Sequence, residues 1–158
     1  MRSPLFYAKI LLFGEYGIIK DSKGLAIPYN SYKGSLLKSV EMDEVQRESN
    51  THLKAFVSYL KTMDQNLVQF RWDEIEKDLQ QGMYFDSSIP RGYGIGSSGA
   101  LVAALYDKYA EDKITVLENL TRDKLLKLKT IFGTMESYFH GTSSGLDPLN
   151  SYLSLPIL

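Results

Sequence analysis

The residues best suited to chemistry lie in a glycine- and serine-rich run at positions 90–100. Three glycines at alternate positions precede two serines and an apolar stretch: Gly92, Gly94, Gly96, Ser97, Ser98 and 101–105. Glycine lets the main chain approach a ligand closely, and a helix that begins at the serines offers amide N–H groups and a positive dipole end to an anion. The run therefore predicts a phosphate-binding loop or, alternatively, a flexible turn between a strand and a helix.

This run does not match two common nucleotide-binding loops. No Gly-Lys-Ser/Thr follows the glycines, which excludes a Walker A loop. No acidic residue closes a second strand at the offset that a dinucleotide fingerprint needs. The choice between a phosphate loop and a turn therefore depends on other parts of the chain.

A lysine inside an apolar strand is the second candidate. Residues 5–13 are aliphatic or aromatic apart from Lys9, which predicts a buried strand, and Glu15 follows six residues after the lysine. Such a lysine either lies at a sheet edge with its amine in water or is buried with a carboxylate or phosphate partner. The sequence leaves both alternatives open.

The third candidate is the segment 136–148, which contains two carboxylates and a histidine. Glu136 and His140 are four residues apart and share a helix face, and Asp147 follows a Gly/Ser/Thr turn that can bend back toward that face. With no cysteine and no third histidine, zinc is disfavoured and Mg²⁺ held by oxygen ligands is favoured. The alternative is an ordinary helix C-cap followed by a turn.

A serine hydrolase triad can also be assembled from a loop serine, His140 and Asp147. The nucleophile elbow of such enzymes reads Gly-x-Ser-x-Gly. Counted from Ser98, the chain has Gly96 but carries Ala100 in place of the second glycine. The triad is therefore the weaker interpretation.

The composition describes one ordered domain and limits its partners. The chain has 158 residues, 44% of them hydrophobic, a formal net charge of −1 and no cysteine. A near-neutral chain lacks the broad basic face of a nucleic-acid binder, and a chain without cysteine has no disulfide framework or thiolate site. The apolar N-terminal run is too short and too polar for a signal peptide or a membrane span. We expect a cytoplasmic protein with no membrane or nucleic-acid partner.

Hydrophobic periodicity and turn residues predict strands interleaved with helices. The predicted strands are 5–13, short strands near 25–27 and 34–37, 83–85 and 151–155. The predicted helices are 49–63, 73–81, 98–109 and a long one capped by Thr121 that ends at His140 and Gly141. This order favours an α+β fold over a doubly wound sheet.

Taken together, the three candidate segments resemble motifs of the GHMP kinases. Segment 9–16, Lys-Ile-Leu-Leu-Phe-Gly-Glu-Tyr, resembles the family's first motif, Pro-Gly-Lys-(apolar)-x-(apolar)-x-Gly-Glu-His. Segment 90–100 resembles the second, Pro-x-Gly-x-Gly-Leu-Gly-Ser-Ser-Ala. Segment 136–147 is similar to the Glu-x-x-x-His-Gly-x-Pro-Ser-Gly-x-Asp of the mevalonate kinase branch, and it keeps the spacing of eleven from Glu to Asp.

The resemblance implies an ATP- and Mg²⁺-dependent kinase that phosphorylates a small-molecule alcohol. It implies an α+β domain with a left-handed β-α-β unit, as in a small-subunit ribosomal protein domain. The implied roles are Asp147 as base with Lys9 beside it, Ser98 and Glu136 as Mg²⁺ ligands, and Glu15 and His140 at the substrate. The implied cradle for the ATP phosphates consists of Gly94, Gly96, Ser97, Ser98 and Gly99.

The chain departs from the family pattern at several positions. Tyr16 replaces the family's His, Gly99 replaces Ala, and Ser143 replaces the Pro common in mevalonate kinases. The third glycine-rich motif has no counterpart, and the C-terminal end is apolar. We therefore expect residues 1–158 to be the N-terminal domain alone, inactive by itself, with a homodimer or a complementing C-terminal half as its partner. The alternatives are a kinase for homoserine, galactose or phosphomevalonate, and a catalytically silent nucleotide- or protein-binding domain.

Overall fold

Three strands and five helices form within the residues that the computed structural model describes, which are 3–13, 25–89, 97–115 and 120–154. The strands are β1 (Phe6–Phe13), β2 (Leu25–Lys38) and β3 (Met83–Ser87). The helices are α1 (Glu44–Leu60), α2 (Trp72–Gln80), α3 (Ser97–Tyr109), α4 (Arg122–His140) and α5 (Leu146–Leu153). The predicted α+β class is confirmed. Glu15, Gly94 and Gly96 lie outside the described residues.

The strands form an antiparallel sheet in the order β1-β2-β3. The two short strands predicted near 25–27 and 34–37 are the two ends of β2, which continues through Pro28 and Gly34. A left-handed β-α-β unit requires a parallel pair of strands, and both pairs in the described residues are antiparallel. That unit therefore stays a prediction.

Side-chain caps set the starts of two helices. The Asp43 carboxylate accepts a hydrogen bond from Gln46 N at 2.8 Å, and the Gln46 side chain accepts one from Asp43 N at 3.0 Å, so α1 begins with a capping box. The prediction placed this start at 49 because the first turn of α1 is polar and the apolar periodicity begins later. The predicted cap of α4 is confirmed, since Thr121 Oγ1 accepts from Lys124 N at 3.2 Å.

The central element is α3, which packs against β1 and β2 of the sheet and against α4 and α5. Its small residues permit this close packing on several faces, and its long side chains fill the space between the layers. The buried residues of α3 are Gly99, Ala100, Val102, Ala103, Ala104, Leu105, Tyr106 and Tyr109. Its N-terminus, which carries the two loop serines, is thereby held at a fixed place among the other elements.

The strand predicted at 151–155 is wrong, because residues 146–153 form α5. Two leucines at alternate positions in a short segment fit a strand, but Leu149 and Leu153 are also four apart and share a buried helix face. Pro148 is compatible with the first turn of a helix, where its missing N–H has no intrahelical partner. The Ser151 hydroxyl donates to Tyr7 O at 3.0 Å and so joins α5 to β1. No helix in the described ranges is long and apolar enough to cross a bilayer.

A carboxylate on α2 joins three elements away from the candidate site. Asp78 accepts hydrogen bonds from the Tyr109 hydroxyl at 2.5 Å and from Lys38 Nζ at 3.1 Å, and Lys108 Nζ lies 3.7 Å away. Burial by itself would raise the pKa of this carboxyl. The hydrogen bonds from Tyr109 and Lys38 and the positive charges of Lys108 and Lys38 outweigh burial and lower the pKa. The ionised form of Asp78 therefore stabilises the fold.

We predict that Asp78→Asn lowers the free energy of unfolding by about 1–3 kcal/mol at neutral pH, because it weakens hydrogen bonds to a charged acceptor. Since the folded-state pKa is lowered, this stabilisation is present above the unfolded-state pKa and is lost as the pH falls through the folded-state pKa. Urea denaturation at decreasing pH should show the wild type and the variant converging in acid. Asp73→Asn, which changes an exposed carboxylate on the same helix, should alter stability by less than about 0.5 kcal/mol. A deficit of Asp78→Asn that stays constant into acid would contradict this account.

Candidate active site

A buried ion pair forms one half of the candidate site. Lys9 lies in the interior of β1 and is 8% exposed, and its Nζ is 3.3 Å from Asp147 Oδ1 in the first turn of α5. Of the two alternatives for Lys9, the structure shows the buried lysine with a carboxylate partner. The side chain of Asp147 keeps 34% of its surface exposed, so this carboxylate is open to a ligand while it contacts the lysine.

A buried carboxylate and two hydroxyls form the other half. Glu136, on α4, is 3% exposed, and its Oε2 accepts a hydrogen bond from Ser98 Oγ at 3.0 Å. Its Oε1 accepts one from Ser143 Oγ at 2.6 Å. His140 Nε2 lies 3.0 Å from Ser98 Oγ. With the Ser98 proton directed to Glu136, the Ser98 oxygen can accept a hydrogen bond from the His140 tautomer that carries its proton on Nε2.

The environment of Glu136 changes the pKa of its carboxyl. Burial raises the pKa of this carboxyl, and the nearby negative charge of Asp147 raises it as well. The hydrogen bonds from Ser143 and Ser98 and the charge of His140 act in the opposite direction but do not outweigh burial.

Close backbone contacts at glycines bring these groups together. A Cβ added to Gly99 would lie 2.9 Å from Asp147 C and from Pro148 N, so the first turn of α3 packs directly on the first turn of α5. A Cβ added to Gly133 would lie 2.9 Å from Ser143 O, so the turn before α5 packs on α4 in the same way. A side chain at position 99 would hold α3 and α5 apart, and one at position 133 would hold α4 and the turn before α5 apart. Spacing alone does not show that Gly99 has this packing role.

The oxygen atoms of Ser98 and Glu136 fit a magnesium ion. Hydroxyl and carboxylate oxygens are hard ligands, and octahedral Mg²⁺ with bonds of about 2.0–2.1 Å places adjacent oxygens about 2.8–3.0 Å apart. The separation of 3.0 Å between Ser98 Oγ and Glu136 Oε2 matches that edge. The described part of the chain has no group of three or more His, Cys, Asp or Glu side chains able to hold a metal.

The hydrolase triad is assembled only in part. Ser98 contacts His140, but Asp147 pairs with Lys9. Among the described residues no hydrogen bond joins His140 to a carboxylate. A histidine without an orienting carboxylate does not complete the Ser-His-Asp arrangement. His140 contacts Ser98. Its predicted contact with a substrate stays a prediction.

A cavity of about 840 Å³ adjoins the two serines at the start of α3. Its walls come from the first half of α1, from β3, from the start of α3 and from the end of α4, and they include both aromatic and polar side chains. At the start of α3 the cavity is lined by Ser97, Ser98 and Leu101. Its aromatic wall consists of Tyr84, Phe85, Tyr138 and Phe139, and His140 lies at the end of α4. The sequence interpretation did not identify this cavity, because its walls belong to distant segments that share no motif.

Comparison with known proteins identifies the family. Residues 54–154 match the family model described as the GHMP kinases N terminal domain, which covers more than half of the chain. The chain therefore belongs to the GHMP kinase N-terminal domain family, and the resemblance found in the sequence is confirmed.

A similar solved structure is the mevalonate kinase of L. major in complex with R-mevalonate. It is 20% identical with a TM-score of 0.48, and the match covers 96% of this chain and 46% of that chain. The present chain thus spans less than half the length of that enzyme. Among curated protein sequences, none matches this chain.

We predict that Gly99→Ala lowers the free energy of unfolding by about 1–3 kcal/mol, because the new methyl group would overlap the backbone of Asp147 and Pro148. The helices must separate to admit it, and Asp147 is then displaced from Lys9. Urea denaturation measures the loss of stability, and a crystal structure of the variant measures the Lys9–Asp147 distance. A variant as stable as the wild type with an unchanged ion pair would refute this packing role.

We predict that Glu136→Gln gains stability relative to the wild type as the pH rises. The folded-state pKa of Glu136 is raised, so its favourable contribution is present below the unfolded-state pKa and is lost as the pH rises through the folded-state pKa. In urea denaturation without metal, the relative gain should accumulate as the pH rises from the ordinary pKa of a glutamate to neutral pH. Glu48→Gln, at an exposed position of α1, is the control and should show no such trend. The same pH dependence in both variants would contradict the role of burial.

Proposed function

We propose that this chain is the nucleotide- and cation-binding domain of a GHMP-type kinase that transfers the γ-phosphoryl group of ATP to an alcohol. One observation carries the proposal. The Lys9–Asp147 ion pair and the Ser98–Glu136 oxygen pair meet at the N-terminus of α3, although they come from four different elements. Phosphoryl transfer requires positioning, charge neutralisation and a proton acceptor, and these side chains are suited to those three tasks.

The start of α3 is the part of the site suited to phosphate. The helix is 13 residues long, so its N-terminal amide groups and dipole favour an anion beside Ser97, Ser98 and Gly99. The adjoining cavity of about 840 Å³ is large enough for a nucleoside, and its aromatic wall suits the face of a base. In this proposal Gly94 and Gly96 complete the phosphate cradle.

Ser98 and Glu136 would hold Mg²⁺ through Oγ and Oε2. When bound, the ion would neutralise charge on the β- and γ-phosphate oxygens. Glu136 must be ionised to act as a ligand, and its raised pKa therefore makes ion binding weaken toward acid at a higher pH than for an exposed glutamate. His140 contributes by orienting the Ser98 hydroxyl.

Asp147 would act as the base of the reaction. Its carboxylate accepts the proton of the substrate hydroxyl while that oxygen forms a bond to the γ-phosphorus of ATP and the bond from this phosphorus to ADP breaks. The products are a phosphate monoester, ADP and a proton that Asp147 releases to solvent. Lys9 holds the carboxylate in place and brings a positive charge beside the attacking oxygen.

The acceptor that we propose is mevalonate or a related alcohol, which would place the chain in isoprenoid biosynthesis in the cytoplasm. The spacing of Glu136, His140 and Asp147 supports the mevalonate kinase branch, whereas Ser143 departs from it. Asp147 is open to its surroundings, which supports a further domain that closes the site. We therefore propose that the C-terminal domain of a GHMP kinase, on the same or a separate chain, completes the enzyme.

The direct test follows ADP release from ATP and Mg²⁺ with mevalonate, phosphomevalonate, homoserine or galactose in turn. The 158-residue chain alone should show little or no turnover, and addition of a C-terminal GHMP domain should produce turnover with one acceptor. Robust turnover by the chain alone would refute the need for a second domain. Mg²⁺-dependent ATP binding without turnover in the completed protein would favour the silent binding domain.

We predict that Asp147→Asn in the completed enzyme lowers kcat by about 10²–10⁴-fold, because an amide cannot accept the substrate proton. ATP binding measured by calorimetry should change by less than about threefold, since Asp147 is not among the proposed phosphate or Mg²⁺ contacts. The matched control is Asp123→Asn, because Asp123 is also in the first turn of a helix but is exposed. A fully active Asp147→Asn enzyme would remove Asp147 from the role of base.

A further inference from the structure

Ser143 contacts the Glu136 oxygen that faces away from Ser98. Its Oγ lies 2.6 Å from Oε1, while Ser98 Oγ lies 3.0 Å from Oε2, so each carboxylate oxygen has its own hydroxyl donor. The shorter of the two contacts is the one to Ser143. In a site where Glu136 is 3% exposed, these hydroxyls take the place of the water that the carboxylate has lost.

The hydroxyl of Ser143 is fixed by the backbone around it. Its Oγ accepts a hydrogen bond from Gly145 N at 3.1 Å, which leaves its proton free to point at Glu136. The turn itself is pressed against α4, since a Cβ on Gly145 would lie 2.2 Å from Lys129 O and one on Gly133 would lie 2.9 Å from Ser143 O. The donor therefore has little freedom to follow a carboxylate that rotates.

Fixing one oxygen fixes the other. The terminal torsion of a glutamate is broad and roughly two-fold, so a carboxylate with no partner samples many orientations. With Oε1 bound to Ser143, Oε2 is directed toward Ser98 and toward the oxygen pair that fits Mg²⁺. Glu136 would then offer one oxygen to the ion and keep the other on the protein.

We propose that Ser143 is a positioning residue that holds Oε1 of Glu136 and thereby presents Oε2, together with Ser98, to the divalent cation. This inference rests on the proposed function, in which Glu136 ligates Mg²⁺. It adds a residue that acts on the metal through Glu136. Ser143 lies in the turn before α5. The sequence interpretation treats this serine only as a departure from the family pattern.

The test measures binding of Mn²⁺, as a probe for Mg²⁺, to the chain with a non-hydrolysable ATP analogue by electron paramagnetic resonance. Ser143→Ala should weaken Mn²⁺ binding by about 10–100-fold, the range typical for groups that orient a metal ligand. Ser137→Ala is the matched control. The Ser137 hydroxyl is next to Glu136 in sequence but donates to Gly133 O within its own helix, so the affinity should stay within about twofold.

A second pair of variants separates the hydroxyl from the shape of the side chain. Ser143→Thr keeps the donor and Ser143→Val has the same branched shape without it, so Thr should retain Mn²⁺ binding and Val should lose it at matched unfolding temperatures. Equal Mn²⁺ affinities of these two variants would overturn the role of Ser143, even where Ser143→Ala loses stability.

Glu136→Gln distinguishes failure of this inference from failure of the proposed function. Loss of Mn²⁺ binding in Glu136→Gln together with unchanged binding in Ser143→Ala would reject Ser143 alone and leave the metal ligand in place. Unchanged binding in Glu136→Gln would reject Glu136 as a ligand and Ser143 with it. The inference predicts that both variants weaken binding, with Glu136→Gln the more severe.

Discussion

A carboxylate buried where α3, α4 and the turn before α5 meet is the constraint on which the rest of the site depends. A group as little exposed as Glu136 cannot be ionised without donors, and two serine hydroxyls provide them. One donor, Ser98, comes from the start of α3, and the other, Ser143, comes from the turn before α5. Both segments are thereby held against α4. The hydrogen bonds that stabilise the Glu136 carboxylate in the interior thus also fix the relative positions of these three segments.

This arrangement has a cost in stability. Burial raises the pKa of Glu136, and the nearby negative charge of Asp147 raises it as well, so ionisation of Glu136 costs free energy. Lys9 reduces this cost by pairing with Asp147 from the interior of β1. A divalent cation would reduce it further. In the proposed function, the same carboxylates would attract a divalent cation.

Much of the site could be predicted from the sequence, because the family motifs keep their residue types and spacing over long separations. Residue type and spacing single out Lys9, Ser98, Glu136 and Asp147, and the structure brings these side chains together. The roles assigned to them stay predictions. The α+β class and the cap at Thr121 could also be predicted, since strand patterns, helix periodicity and caps depend on residues that are close together in the sequence.

The missed features depend on contacts between distant segments. The role of Ser143 at Glu136 requires the turn to fold back on α4, and the packing of Gly99 on α5 is visible only from atomic distances. The segment 151–155 fits a strand because its two leucines are at alternate positions, whereas the helix at 146–153 depends on the burial of Leu149 and Leu153 on one face. The large cavity beside the serines was missed because α1, β3 and α4 build it from residues with no common motif.

In the proposed function, Ser98 and Glu136 hold a divalent cation beside the Lys9–Asp147 pair. Crystals of the chain grown with Mn²⁺ and a non-hydrolysable ATP analogue allow the ion to be located in an anomalous difference map. We expect one strong peak within bonding distance of Ser98 Oγ and Glu136 Oε2, with Glu136 Oε1 still on Ser143. A peak bound to other side chains, or bound nucleotide with no peak at this pair, would refute this cation site.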